Sequence, residues 1–207
     1  EINITFDYFH NKRDRILMKR ASFPQILGYA SAVPWSNIGK VDSKGIELSV
    51  NWTKHVNKDL SFDIRGNYTY NRNKYVYVDE PDYPYVWQVK TGHPLGMRVG
   101  YIAEGLFKDQ NDIDTHADQS LFGSTVMPGD IKYRDINGDN KIDVNDAVFI
   151  GFPETPRLIY GTSLFVNYKQ FEFSTSFQGS GKRSFFINAQ AISPFYGDHA
   201  MLKAIAD

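Results

Sequence analysis

The stretch GIELSVNWTKHVNKDLSFDIRGNYTYN (residues 45–71) contains two runs of alternating apolar and polar side chains, separated by a short polar segment at residues 54–59. Alternation with a period of two places the apolar side chains on one face of a β-strand. A few polar residues between two such runs are typical of a tight turn. The stretch therefore predicts an antiparallel hairpin whose apolar face comprises Ile46, Leu48, Val50, Trp52, Leu60, Phe62, Ile64, Tyr68 and Tyr70.

The same pattern predicts three further strands. Residues 1–18 begin with Ile2, Ile4, Phe6 and Tyr8, which alternate with polar residues. Residues 158–178 repeat the hairpin pattern, with a short turn at Lys169 and Gln170. Because helical periodicity is scarce elsewhere, the sequence predicts an all-β fold with five antiparallel strands.

Composition excludes several classes of protein. The net charge of -1 on 207 residues gives no electrostatic basis for binding nucleic acid. The absence of Cys excludes disulfides, thiolate nucleophiles and zinc–thiolate sites. No apolar run is long enough for a transmembrane helix, and the first residues do not resemble a signal peptide. Since Glu1 already lies in a strand pattern, we expect the chain to be part of a longer protein.

A segment of different character lies between the two hairpins, at residues 73–155, and holds most of the Pro, Gly and Asp residues. Residues 96–107 indicate a short strand within it, and residues 194–207 indicate the start of a helix near the end of the chain. Long irregular connections are usually functional or disordered, so we expect candidate functional residues in this segment.

Within this segment, residues 135–146 read DINGDNKIDVND and match the spacing of a calcium-binding loop. Such a loop offers oxygen ligands at positions 1, 3, 5, 7, 9 and 12, with a backbone carbonyl at position 7. The pattern therefore predicts a structural Ca²⁺ site whose ligands are Asp135, Asn137, Asp139, the carbonyl of Lys141, Asp143 and Asp146.

Two positions differ from the ideal calcium loop. Position 6, usually Gly, is Asn140, a side chain that tolerates positive φ. Position 12 is Asp146 in place of Glu, which shortens its reach. A surface turn stabilised by Asx hydrogen bonds, with no ion, would explain the same residues. We expect no complete EF-hand, because PGDIKYRD before the loop is predicted to be extended and only VNDAVFI after it could form a short helix.

Two architectures accommodate the strands. In a soluble β-sandwich the apolar face packs against a second sheet, whereas in a membrane barrel it faces lipid and the polar face lines the lumen. The strands are long enough to cross a bilayer when tilted. Short turns at one end and long loops at the other favour an outer-membrane barrel. Two aromatic girdles are also expected, from Trp52, Tyr168 and Phe171 beside the short turns and Tyr68 and Tyr70 beside the long loop.

Three stretches carry a family resemblance: residues 4–18 (ITFDYFHNKRDRILM), residues 37–52 (NIGKVDSKGIELSVNW) and residues 128–174, which run from PGDIKYRDINGD to YKQFEFS. Together and in this order they resemble SusC-like (SusC/RagA) TonB-dependent transporters, which import glycans and peptides across the outer membrane of Bacteroidetes. The resemblance implies that the chain is a C-terminal-half fragment, with antiparallel transmembrane strands from a barrel of about 22 strands.

The resemblance also implies a division of the chain. Residues 1–72 would hold barrel strands and a loop, residues 73–155 a long extracellular loop with the EF-hand-like calcium loop 135–146, residues 156–190 a barrel hairpin, and residues 191–207 the start of a further extracellular loop. The implied partners are a SusD-like surface lipoprotein, a TonB complex that contacts the missing N-terminal part, the imported oligosaccharide or peptide, and outer-membrane lipid.

The sequence PDYPYVWQ places Tyr83, Tyr85 and Trp87 close together beside prolines. Flat rings on a stiff backbone are suited to stacking on a substrate or to contacting the lipoprotein. Ordinary packing of one loop against another is the alternative.

Signals of catalysis are lacking. The five His residues are scattered without metal-ligand spacing, and no nucleophile elbow or phosphate-binding loop is present. We therefore expect no enzymatic activity. Two hypotheses remain: part of a TonB-dependent transporter of oligosaccharides or peptides, and a soluble carbohydrate-binding β-sandwich module with a calcium-stabilised loop.

Overall fold

A computed structural model describes residues 1–22, 33–123 and 125–187 of the chain. Within these ranges nine strands and one short α-helix, α1 (Gln110–Asp114), are present; the strands are β1 (Ile2–Lys19), β2 (Trp35–His55), β3 (Leu60–Tyr77), β4 (Arg98–Gly100), β5 (Ala103–Leu106), β6 (Ile131–Tyr133), β7 (Val148–Ile150), β8 (Leu158–Tyr168) and β9 (Phe171–Gly181). The five long strands form one antiparallel sheet in the order β1-β2-β3-β8-β9. The predicted number and orientation of the strands are confirmed.

The sequence alternation sets the pairing register of this sheet. Residues directly opposite one another on antiparallel strands lie on the same face. One row across the apolar face consists of Phe6, Leu48, Tyr68 and Tyr160, and the next consists of Tyr8, Ile46, Tyr70 and Leu158. A neighbouring row on the opposite face consists of Thr5, Ser49, Asn67 and Gly161. The sheet thus has one apolar and one largely polar face, as predicted.

The apolar face has no covering layer in the part of the chain that the structure describes. Ile4 and Phe6 are each 62% exposed, and Phe177 is 67% exposed. A soluble sandwich would bury this face against a second sheet. The other sheets in the described ranges are two pairs of short strands, β4 with β7 and β5 with β6. The sandwich alternative is therefore not supported, and the five-stranded sheet is open, with β1 and β9 at its edges.

Short and long connections lie at opposite ends of the sheet, as predicted. Residues 56–59 join β2 to β3, and the Asn57 side chain accepts a hydrogen bond from the Asp59 N–H at 2.8 Å. The β8–β9 turn contains Lys169 at φ 54°, whose N–H donates to the Asp59 carbonyl at 2.7 Å. At the other end, residues 78–157 connect β3 to β8, although those two strands are direct neighbours.

Two long strands extend further than the alternation indicated. β2 begins at Trp35, well before Ile46, and β3 continues beyond the boundary proposed at residue 72 to Tyr77. Next to the predicted strand ends both faces carry polar or charged residues, Lys44, Ser43 and Asp42 on β2 and Asn73 and Lys74 on β3, so the period of two is hidden there. Their backbones nevertheless pair with the neighbouring strand, since main-chain hydrogen bonding does not depend on side-chain polarity.

The connecting segment also departs from its predicted elements. Residues 96–107 hold two short strands, β4 and β5, in place of one. PGDIKYRD is extended at β6, as predicted, but VNDAVFI forms only a single 3₁₀ turn, Val144–Asp146, followed by β7. β-Branched Val148 and Ile150 favour the strand over a continued helix. Among the helices of the described ranges, none combines the length and apolarity needed to cross a bilayer. The helix and extracellular loop predicted after residue 190 lie outside the described residues.

Candidate functional site

The long loop between β3 and β8 is attached to the sheet by backbone hydrogen bonds. The Tyr75 N–H donates to the His93 carbonyl at 2.9 Å, and the Gly92 N–H donates to the Tyr75 carbonyl at 2.8 Å. The Asn73 side chain accepts from the Leu95 N–H at 3.0 Å. Residues 92–95 thus lie beside the C-terminal end of β3, which continues beyond its last pair with β8, Tyr70 with Leu158.

A small core holds the loop together. Phe107 and Ile142 are 2% and 1% exposed, and the ring of Tyr101 packs edge-on against Phe122 with centroids 5.0 Å apart. The buried amide of Gln119 donates to the Ile131 carbonyl at 2.9 Å and accepts from the Tyr133 N–H at 3.1 Å. Because both polar atoms of Gln119 are satisfied, this amide joins residues 118–122 to β6 without an unpaired buried group.

The predicted calcium loop begins with Asp135, whose carboxylate accepts hydrogen bonds from two backbone N–H groups later in the loop. It accepts from the Gly138 N–H at 2.7 Å and from the Asn140 N–H at 2.8 Å. Asn140 has φ 64°, so the positive φ expected at position 6 is present. Asn tolerates this conformation better than most side chains.

Asp146 closes the loop from the other end and is 0% exposed. One carboxylate oxygen accepts from the Ile136 N–H at 2.8 Å and from the Asn137 N–H at 3.3 Å. The other accepts from the Asp143 N–H at 2.8 Å. Asp143 in turn accepts from the Asn145 N–H at 2.7 Å, and a capping box between Asp143 and Asp146 closes the 3₁₀ turn.

The remaining predicted ligands lie at the tip of the loop. Asn137 and Asp139 are joined by a side-chain hydrogen bond of 2.9 Å, and the Lys141 N–H donates to Asp139 at 2.9 Å. The tip is also paired with residue 118, since the Ile142 N–H donates to the Asp118 carbonyl at 2.8 Å and the Asp118 N–H donates to the Asn140 carbonyl at 3.0 Å. The structure therefore brings all six predicted ligands into one compact turn.

The side chains of this turn are engaged with backbone N–H groups. In the described ranges, no three His, Cys, Asp or Glu side chains are grouped at metal-ligand distances. Two features nevertheless fit a cation. The donor set consists of hard oxygens, which calcium prefers, and the fully buried carboxylate of Asp146 has no salt-bridge partner among the described residues. Three backbone N–H groups compensate the charge of this buried carboxylate, and a nearby cation would stabilise it further.

The aromatic stretch packs directly against this turn. The rings of Tyr85 and Trp87 stack with centroids 4.6 Å apart and an interplanar angle of 11°. The indole N–H of Trp87 donates to the Asn145 carbonyl at 2.8 Å, and the Asn137 amide donates to the Tyr85 hydroxyl at 3.2 Å. Tyr83 is half-buried and forms no aromatic pair in the described ranges. Two of the three predicted aromatic residues thus belong to one unit with the turn.

The carboxylates of the turn influence a neighbouring phenol. Burial, followed by the negative charges of Asp143 and Asp146, raises the pKa of Tyr101. Elsewhere in the loop, a hydrogen bond from Arg134 at 2.8 Å lowers the pKa of Glu104. A bond of 2.7 Å from Lys132 likewise lowers the pKa of Asp112. Glu104 and Asp112 each pair with one basic residue. The turn, by contrast, contains four carboxylates close together in sequence, Asp135, Asp139, Asp143 and Asp146.

Comparison with known proteins gives consistent matches. The family described as TonB dependent receptor-like, beta-barrel matches residues 1–200. The chain is 27% identical over 191 residues to TonB-dependent receptor P3 of Formosa agariphila, and 29% identical over 156 residues to TonB-dependent receptor SusC of Bacteroides thetaiotaomicron. These alignments cover 86% and 70% of this chain but 18% and 14% of the relatives. The chain therefore spans less than a fifth of the length of these proteins.

Solved structures share the fold. The RagAB peptide importer in its open-open state aligns with a TM-score of 0.63 at 16% identity, over 88% of this chain and 19% of that chain. The RagAB peptide transporter aligns with a TM-score of 0.58 at 17% identity, over 86% and 19% of the two chains. At this level of identity the similarity concerns the fold.

Proposed function

The chain belongs to the β-barrel family of TonB-dependent receptor-like proteins, and from this membership we propose that the protein containing it imports oligosaccharides or peptides across the bacterial outer membrane. The family consists of outer-membrane transporters and not of enzymes, so the predicted location and the predicted lack of catalysis are confirmed. The resemblance to SusC-like transporters is confirmed as well.

The two-faced sheet is the observation that carries the proposal. Its apolar face is exposed, its polar face is suited to a lumen, and the long connection between β3 and β8 lies at the end opposite the two short turns. In an outer-membrane barrel the long connections are extracellular. The loop at residues 78–157 would therefore meet substrate before it enters the barrel.

A SusD-like surface lipoprotein is the proposed partner at this end, and a TonB complex is the proposed partner of the N-terminal part. The resemblance to SusC-like transporters supports both. The loop offers an exposed surface for the lipoprotein or the substrate beside Tyr83, Tyr85 and Trp87, since Val86 between them is 83% exposed. Tyr83, Tyr85 and Trp87 are all partly exposed, and Tyr85 and Trp87 are held in place by their hydrogen bonds to the turn.

We further propose that Ca²⁺ stabilises the turn at residues 135–146. Asp135, Asn137, Asp139, Asp143 and Asp146 would supply side-chain oxygens, and Lys141 its carbonyl. Asn145, whose carbonyl holds Trp87, lies between two of these ligands. A bound ion would thus fix the position of the aromatic stretch, because it restricts the turn on which that stretch packs.

Transport can be tested in cells that express the full-length protein together with a candidate SusD-like lipoprotein. Uptake of fluorescent oligosaccharides and of fluorescent peptides is measured in strains with and without TonB. We expect TonB-dependent uptake of one of the two classes. Uptake of neither class, or uptake independent of TonB, would contradict the proposal.

Calcium binding can be tested by thermal unfolding of the full-length protein with calcium and with chelator. We expect calcium to raise the midpoint of the loop transition, and Asp135→Ala and Asp139→Ala to abolish the increase. Asp114→Ala is the matched control, because this exposed carboxylate bonds only to the Gln110 side chain in the described ranges. A midpoint that is unchanged by chelator would support the ion-free Asx turn instead.

A further inference from the structure

A band of positive charge lies on the outer face of the sheet, directly beyond its apolar rows. His10, Lys44 and Arg72 are paired across β1, β2 and β3, and the next row on the same face consists of Lys12, Asp42 and Lys74. These two rows, here called the basic rows, follow the row of Tyr8, Ile46 and Tyr70 at successive two-residue steps. Two-residue steps stay on one face of a strand. The basic rows therefore continue the lipid-facing surface.

The height of the basic rows follows from strand geometry. Residue 70 of β3 lies ten residues beyond residue 60, so this part of the strand spans about 33 Å at roughly 3.3 Å per residue. A strand tilt of about 40° reduces this to a height of about 25 Å, which matches the apolar band of about 25 Å in outer-membrane barrels. Arg72 and Lys74 thus emerge just beyond the hydrocarbon, at the end that carries the long loop.

The residues of the opposite face that lie between the two basic rows are uncharged. The lumenal face carries neutral side chains at the corresponding positions, namely Asn11, Ser43, Asn71 and Asn73. The Ser43 hydroxyl donates to the Asn71 side chain at 3.0 Å, so these groups satisfy one another. The basic side chains are therefore not placed to meet a substrate in the lumen.

The positive charge is largely uncompensated. Lys12, Lys44, Arg72 and Lys74 are exposed, and none of them forms a salt bridge within the described ranges. The single carboxylate in the rows, Asp42, lies 2.5 Å from the His10 ring nitrogen. Permanent cations thus outnumber the carboxylate in this band.

A concavity beside the basic rows adds further cationic groups. It has a volume of about 430 Å³ and is lined by Lys44, Arg72, Lys74 and Arg157, with Asp42 and His93 also at its wall. The buried Nε of Arg157 has no hydrogen-bond partner in the described part of the chain. The Lys182 ammonium lies 5.0 Å from the centre of the Tyr70 ring, on the same face. An anion with several oxygens would satisfy these donors.

We propose that the basic rows bind the phosphate groups of an anionic lipid in the outer leaflet. Lys and Arg at the membrane surface attract anionic lipid headgroups, and guanidinium and ammonium groups are suited to phosphate oxygens. The outward direction, the height above the apolar band and the lack of counter-charges all fit a lipid headgroup. This contact is separate from transport and depends only on the orientation of the barrel in the membrane.

The test uses the full-length transporter in detergent and native mass spectrometry with a phosphorylated glycolipid. The same glycolipid without its phosphates and inorganic phosphate as a competitor distinguish a lipid-borne phosphate from a free one. The triple variant K44Q/R72Q/K74Q removes three exposed charges. We expect its affinity for the phosphorylated glycolipid to fall by roughly a hundredfold. The matched control, K54Q/K58Q/K169Q, removes three exposed charges at the short-turn end and should retain the affinity.

Several outcomes would overturn the proposal. They are equal affinity of the triple variant and the wild type, equal binding of the glycolipid without phosphates, and displacement of the lipid by a modest excess of inorganic phosphate. Heat-dependent electrophoretic mobility verifies that each variant forms a folded barrel. If the triple variant does not fold, the single variants K44Q and K74Q are compared in its place, and each should show a partial loss of affinity.

Discussion

Replacing Asp146 with Ala removes the acceptor of three backbone N–H groups in the interior of the long loop. The bonds from Ile136 and Asp143 are 2.8 Å long, and the bond from Asn137 is 3.3 Å long. A hydrogen bond to a charged group contributes about 1.5–3 kcal/mol, so two strong bonds and one weak bond give a loss of about 3–5 kcal/mol in the local stability of the turn. Asp146→Asn retains one acceptor oxygen and should lose about half as much.

Hydrogen exchange measured by mass spectrometry reports this loss directly. The experiment uses the full-length protein in detergent with chelator, so that only hydrogen bonds contribute, and follows peptides covering residues 131–150. We expect protection in Asp146→Ala to fall by about a hundredfold or more, since roughly 1.4 kcal/mol corresponds to a factor of ten. Asp114→Ala, which loses one exposed side-chain bond, should leave these peptides unchanged. Wild-type exchange in Asp146→Ala would refute the assigned role of the buried carboxylate.

Three further predictions concern the loop and the sheet. Trp87→Phe keeps the stacked ring but removes the donor to Asn145, so exchange at residues 143–147 should increase by an amount equivalent to about 1 kcal/mol; an unchanged rate would show that the bond contributes nothing. The lowered pKa values of Glu104 and Asp112 mean that their ion pairs stabilise the loop at neutral pH and that this contribution disappears as the pH falls through the folded-state pKa values. Limited proteolysis of the loop should therefore accelerate below about pH 4.5. The acceleration should be much smaller in the double variant Lys132→Gln/Arg134→Gln, which lacks both ion pairs. If the wild type and the double variant had the same pH profile, the assignment would be contradicted. Gly45→Val should impair barrel assembly, because the Tyr70 carbonyl and the Phe9 ring occupy the space that the valine side chain would need. Heat-dependent electrophoretic mobility measures the assembly. Gly66→Ala should assemble normally, because the nearest atom is 4.0 Å from the added carbon.

Local sequence pattern was sufficient for the features that depend on neighbouring residues. The alternation at Ile46, Leu48 and Val50 predicted both a strand and its apolar face, and the polar residues at 54–59 predicted the turn. The positive φ of Asn140 followed from its place in the loop spacing. Each of these features is set by residues within a few positions of one another, so a single sequence carries the signal.

Contacts between distant residues could not be predicted in this way. Trp87 and Asn145 are 58 positions apart, and neither residue indicates the other as its partner. The buried amide of Gln119 is a lone polar side chain with no recognisable pattern around it. The basic rows became visible only when the register placed Lys44 beside Arg72 and Lys74 beside Asp42. Their lysines and arginines also disrupted the alternation that would have revealed the full length of β2 and β3.

The central claim, that one face of the sheet contacts lipid and the other lines an aqueous lumen, can be tested most directly along β9. Nitroxide labels placed singly at Phe173, Ser174, Thr175, Ser176 and Phe177 of the full-length protein in lipid bilayers report accessibility to oxygen and to a water-soluble nickel complex. We expect oxygen accessibility to be high at Phe173, Thr175 and Phe177 and nickel accessibility to be higher at the two serines, in strict alternation. Uniform accessibility to the nickel complex at all five positions would contradict a membrane-spanning barrel strand.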